Sequence, residues 1–313
     1  MRVSLKSIWK TLWPPVFLLG SVFFIVRYFH GQAAHVVAPE QFAWQFLALG
    51  VGLQAAYWIL NTLCWQWAVY WYAGVRLGPL QSFSQLAMST LGKYFPGKIW
   101  GMVARASLLA QLGVTAKQSL FATLNEQFLI LYSAFLSSTA LWCLVDHAWY
   151  SLAMFLAVAA CLPVLGPLQR LGFKFAPRFL KLGAAADGAD IAPLGLKKFA
   201  LLALSYSVIW LLVGLIFCCV YYLFFPAQPD AAVIIRLIVA NTIGISIGFF
   251  AVFSPGGLGI REAITSSLLT TQMDLEHAIL LCLLFRLWIV AFELLSGLTL
   301  LIPHKTLTAK QVP

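Results

Sequence analysis

Residues 249–263 read FFAVFSPGGLGIREA. An apolar run stops at Ser254-Pro255-Gly256-Gly257, restarts at once, and carries the adjacent Arg261 and Glu262 into the new segment. Proline has no N–H to give a helix and clashes with the preceding turn, while glycine accepts dihedrals that other residues avoid. The stretch therefore predicts one helix ending, a tight turn, and a second helix beginning with two charges. Such a break inside apolar sequence points to a chain folded in lipid, and the flanking sequence bears this out.

The chain is 62% hydrophobic and 10% charged, with mean hydropathy +0.89. Soluble domains are about 45–50% apolar and about 25% charged. Apolar runs of span length recur at about 12–29, 42–71, 117–145, 149–166, 196–225 and 275–302, each near the roughly 20 residues that cross a bilayer as helix. The sequence predicts an all-α polytopic membrane protein, a single integral domain over 1–313, with the 12–29 run kept as a first helix. The formal charge of +10 does not indicate nucleic acid, because the basic residues gather in short connectors between apolar runs, as cytoplasmic loops do. Arg2, Lys6, Arg76, Lys117, Lys197 and Lys198 fall on one side of the predicted membrane and Glu40, Asp146 and Asp230 on the other, so both termini are expected inside. The segment 167–195 is the one sizeable hydrophilic loop, read as a basic cytoplasmic loop. Cys64, Cys143, Cys161, Cys218, Cys219 and Cys282 all lie in apolar runs without a CxxC pair or a histidine cluster. No metal site or cofactor is expected.

Two regions depart from simple spans. Residues 80–111 break at Pro96-Gly97, and residues 231–271 break at Pro255-Gly256-Gly257. Each reads as a helical hairpin, and the arm 80–94 is too short to cross the membrane, which suits re-entry; the arm 231–252 is long enough to span. A shift of 159 residues superimposes the two breaks and sets the helix after the first beside the helix after the second. With three spans between the hairpins, the second enters from the opposite face. The expectation is about six full spans plus two hairpins in an inverted repeat, with units 80–145 and 231–302, an arrangement that recurs among transporters.

Charges inside apolar segments are costly and usually face a protein interior or a wet cavity. Here they are Lys93, Lys98, Arg105, Glu126, Arg236, Arg261, Glu262, Arg286 and Glu293, six cations to three acids. That excess suits an anion. The helix starting after Gly257 adds free backbone N–H groups and a positive dipole end, and Lys98 and Arg261 lie within about a turn of the two breaks. Arg261–Glu262 also reads as a structural ion pair with capping duty, Glu126 and Arg286 as bridges between helices, and Lys93 and Lys98 as side chains reaching an interface. The aromatics Trp58, Trp65, Trp67, Tyr70, Trp71 and Tyr72 read as a packing stripe and interfacial belt.

The segment SPGGLGIREA, together with KYFPGKIWGMVARASLLAQLGV earlier in the chain, resembles the lysylphosphatidylglycerol synthase transmembrane-region family. The likeness rests on Pro255, Gly256, Gly257, Gly259, Arg261 and Glu262, supported by Pro96, Gly97 and Arg105. It implies a bacterial inner-membrane protein that moves or presents a lipid with a polar head group. Lys98, Arg105 and Arg261 would hold an anionic head group, and Glu126, Glu262 and Arg286 would complete the site. Bifunctional members carry a soluble aminoacyl-transferase domain after the membrane region; this sequence ends at Pro313, so synthase activity is not expected to carry over. The first hairpin has Lys98-Ile99-Trp100 where the second has Gly257-Leu258-Gly259, so the two need not do equal work. Two further readings are a membrane-embedded transferase acting on a lipid phosphate, with Asp187 and Asp190 as its closest acidic pair, and a non-catalytic partner that recruits a lipid-modifying enzyme through the basic loop. A second copy of the chain is a further expected partner.

Overall fold

The computed structural model describes residues 43–94, 100–162, 164, 194–225, 228–251, 257 and 259–301. The expected first helix at 12–29, the break residues Pro96, Gly97, Pro255 and Gly256, the candidate Lys98, and nearly all of the 167–195 loop with Asp187 and Asp190 lie outside the described residues.

Among those residues the chain is helical: α1 (Trp44–Ala73), α2 (Pro79–Gly92), α3 (Trp100–Ala110), α4 (Ala116–Trp142), α5 (Trp149–Ala160), α6 (Leu196–Phe224), α7 (Ala231–Phe250), α8 (Ile260–Leu269) and α9 (Leu275–Gly297), closed by a 3₁₀ turn, Leu298–Leu301. The boundaries follow local chemistry. Gly74 takes the left-handed conformation (φ 71°) that ends α1, its N–H donating to Tyr70 O at 3.0 Å. Pro79 opens α2, where a missing N–H costs nothing. Thr115 caps α4 reciprocally with Gln118. Asp230 and Asp274 accept the amide N–H groups of Val233 and His277 at the starts of α7 and α9.

Four helices are both long and apolar enough to cross a membrane: α1, α6, α7, and α9 with its 3₁₀ extension. The chain is a multi-pass membrane protein. Two of the expected runs, 117–145 and 149–166, are not among these four described helices. Helix α4 has the length, at 27 residues, but buries Ser119, Thr123, Asn125, Glu126, Ser133 and Ser137, which dilute its hydropathy. Helix α5 covers 12 residues of the second run, whose positions 163 and 165–166 lie outside the described residues. The hairpin arm α7 qualifies as a span, in keeping with the length expected of it, whereas its partner α8, with 10 residues, is only about 15 Å long.

Helices α1 and α6 pack along their lengths in opposite directions: Ala43 N–H donates to Leu223 O at one end, and Lys198 lies over the Trp71 ring at the other. Helix α4 runs parallel to α6, since Tyr206 bonds Glu126 and Trp210 bonds Ile130 with the same offset of 80 residues. These directions gather Arg76, Lys117, Lys197 and Lys198 at one end of the bundle. The caps Asp230 and Asp274 lie at the other, where His277 touches Phe225 at the end of α6. One apolar core joins α1, α2, α4 and α6 around Trp65, Leu86, Phe121 and Tyr206, and a second joins α6, α7 and α9 around Phe217, Leu237 and Phe285.

Each hairpin closes where a side chain is missing. A Cβ on Gly101 of α3 would lie 2.7 Å from Ser89 O of α2. In the second hairpin, a Cβ on Gly244 would lie 1.9 Å from Thr265 Oγ1, and one on Gly248 would lie 3.0 Å from Arg261 Cβ. Gly257 (φ +69°) passes directly over Gly248, and Gly259 (φ +83°) precedes α8. The hairpins also exchange neighbours: α2 packs on α9, and α7 packs on α4.

Candidate functional site

Four cations and three carboxylates converge on the hairpins among the described residues. Arg105 of α3, 1% exposed, pairs with Glu126 of α4. Trp65 lies flat beneath the guanidinium at 3.8 Å and gives its own indole N–H to Gln85, while Tyr206 donates to the other Glu126 oxygen at 3.4 Å. An arginine over an indole in a dry site adds roughly 2 kcal/mol. Arg105 and Glu126 are both buried, and their pair bridges α3 to α4.

The second hairpin carries a similar bridge with its charges exchanged. Glu262 of α8 pairs with Arg286 of α9 at 3.5 Å, and its other oxygen accepts the Gly259 N–H at 2.8 Å, capping α8. The capping duty foreseen for Glu262 is therefore present, but its ion-pair partner is not Arg261. Consecutive helical residues point about 100° apart and do not face one another. Glu262 turns toward α9, and Arg261 toward α7 and the interior.

Lys93, just past α2, pairs with Glu293 of α9, and Tyr94 donates to the second Glu293 oxygen at 2.7 Å. This bond joins residues 200 positions apart. Neither Lys93 nor Glu293 stood out in the sequence as a site residue. Lys93 sits at the last turn before the Pro-Gly break, the one local signal that could have marked it.

Arg261 remains. It is 8% exposed, lies 5.2 Å from the Phe285 ring, and forms no ion pair with a described residue. It borders a cavity of about 170 Å³ whose other charged walls are Lys93 and Glu293 and whose polar walls include Gln54, Tyr57, Asn61 and Tyr206. In other proteins a cavity of ~150 Å³ takes a benzene-sized molecule. Of the six charged residues the sequence nominated, only Arg261 of those described lines this cavity; Arg105, Glu126, Glu262 and Arg286 serve the two bridges. Trp58 also reaches the cavity wall, while Trp65 serves Arg105, so the aromatic stripe contributes to both sites.

The sequence pattern described as the lysylphosphatidylglycerol synthase TM region matches residues 13–297, nearly the full chain. The chain belongs to that family. The lysylphosphatidylglycerol synthase transmembrane region is a membrane domain linked to lipid-modifying and flippase-type roles, and the match takes in both hairpins and every charged residue described above. No curated protein matches the chain.

Proposed function

We propose that this protein is a lipid flippase, or a transporter of a lipid-linked substrate, in a bacterial inner membrane, and that an anionic head group sits in the cavity beside Arg261. One observation carries the reading. Lys93, Arg105 and Arg286 each pair with a carboxylate, whereas Arg261 faces the cavity without an ion pair to a described residue, the one carboxylate in the described wall, Glu293, being bound to Lys93 and Tyr94. A buried cation without a counter-charge is expensive, and a phosphate would supply that counter-charge with bidentate geometry. Lys93 lies across the same cavity and would reach the same anion.

The architecture supports movement as well as binding. The exchange of neighbours, α2 on α9 and α7 on α4, is what two hairpins entering from opposite faces of an inverted repeat would produce. The short α2, α3 and α8 suit re-entrant arms, and the separation of basic from acidic bundle ends suits termini inside. The enzyme reading has less support, since the acids lining the described cavity come down to Glu293, itself bound to Lys93 and Tyr94.

Proteoliposomes carrying a head-group-labelled anionic lipid test the proposal. Arg261→Ala lowers the transbilayer rate at least roughly tenfold, the scale of one charge-assisted hydrogen-bond pair, and Arg261→Lys retains part of it. Equal rates for wild type and Arg261→Ala would reject the site.

A further inference from the structure

The charges in the described cavity wall can be counted. Arg261 and Lys93 contribute one positive charge each and Glu293 one negative charge, leaving a single positive excess. The neighbouring Glu262–Arg286 pair is neutral as a unit. Glu293 is fixed in the wall: its side chain is 7% exposed, and both oxygens are engaged, one by Lys93 and one by the Tyr94 hydroxyl. Lys93, by contrast, keeps about a third of its side chain exposed (34%) and can face an incoming ligand without leaving Glu293.

We propose that Glu293 sets the charge this cavity accepts, so that it takes a head group with one negative charge, a phosphodiester, in preference to a phosphomonoester with two. This rests on the head-group reading above and narrows it. In a poorly solvated site an uncompensated charge is strongly penalised. A phosphodiester cancels the single positive excess. A phosphomonoester leaves one negative charge over, beside a carboxylate that cannot move away. Asn61 adds a second element of selection. Its Oδ1 is buried in the cavity wall and accepts no hydrogen bond from a described residue, so it favours a head group with a hydroxyl to donate.

The test uses the purified full chain in mixed micelles with equal amounts of phosphatidylglycerol and phosphatidic acid of identical acyl chains. It is run near pH 8.5, well above the second ionisation of a phosphate monoester at about 6. Native mass spectrometry reads the ratio of the two lipids retained. Wild type retains mainly phosphatidylglycerol. Glu293→Gln, nearly the same shape without the charge, moves the ratio toward phosphatidic acid by roughly tenfold, a modest return for one charge at short range. Glu293→Asp keeps the wild-type preference. A wild-type protein that retains the two lipids equally, or prefers phosphatidic acid, overturns the role of Glu293 while leaving the head-group site standing, and it does so without relying on any variant. Retention of neither lipid, with wild type and Arg261→Ala alike, overturns the head-group site itself and this inference with it.

Discussion

Arg105 and Arg261 are both almost fully withdrawn from solvent, yet their neighbours predict opposite responses to mutation. Breaking the buried Arg105–Glu126 pair by Glu126→Leu strands a guanidinium and costs about 3–5 kcal/mol of stability, whereas Arg105→Met together with Glu126→Leu recovers most of that loss, because two apolar groups need no counter-charge. Denaturant titration of the purified protein checks both. Arg261→Ala removes a buried charge that has no described partner, so it leaves stability close to wild type while weakening lipid retention. A large drop in melting temperature for Arg261→Ala would mean that a partner for it exists within the protein. The sequence made all these charges conspicuous, since each stands out in an apolar run. It did not reveal the pairings, because Arg105 and Glu126 are 21 residues apart, Glu262 and Arg286 are 24 apart, and Lys93 and Glu293 are 200 apart. No helical spacing rule reaches those distances; tertiary packing decides them.

At the scale of elements, the hairpins depend on glycines more than on any side chain. Gly244→Val places a branched side chain where Thr265 Oγ1 and the Arg261 carbonyl already sit. It is expected to cost about 1–3 kcal/mol as overpacking, or more if α8 is displaced. Gly52→Val, on an open face of α1 with nothing within reach, is the control and leaves the thermal midpoint nearly unchanged. The α9 cap adds a pH response. The His277 amide N–H and imidazole hold the Asp274 carboxyl below its usual range. A carboxylate depressed in the folded state stabilises above its unfolded value of about 3.9, and that contribution is lost as pH falls through the folded value. Hydrogen exchange in the first turn of α9, corrected for intrinsic rates, therefore rises below about pH 4 in the wild type. In Asp274→Asn, which caps without titrating, it does not. The hairpin positions were legible in the sequence because proline and glycine act locally. The standing of α4 was not, since its serines, threonines and Glu126 face protein instead of lipid, and a hydropathy average cannot tell the two apart.

For the whole molecule, the apolar runs announced a helical membrane bundle unmistakably, and the distribution of basic residues foreshadowed the two chemically distinct ends that the helix directions produce. Cysteines introduced at Lys197 and Asp230 should be labelled by a membrane-impermeant maleimide from opposite sides, Asp230→Cys in intact cells and Lys197→Cys only after permeabilisation. The opposite pattern, with Lys197→Cys labelled in intact cells and Asp230→Cys only after permeabilisation, would reverse the orientation proposed here. The three ion pairs also divide into two kinds. Arg105–Glu126 and Glu262–Arg286 each fasten a short helix to the long helix that follows it. Lys93–Glu293 ties the first hairpin to the last long described helix, far along the chain. In mechanical terms the first two are welds and the third is a clasp: if one half of the bundle swings against the other, the welds travel with their halves and the clasp lies on the parting line. Cysteines placed at 93 and 293 and joined by a short bifunctional maleimide should then freeze lipid movement while leaving lipid bound. A reducible version of the linker should restore movement when cut, relative to the same unlinked double variant.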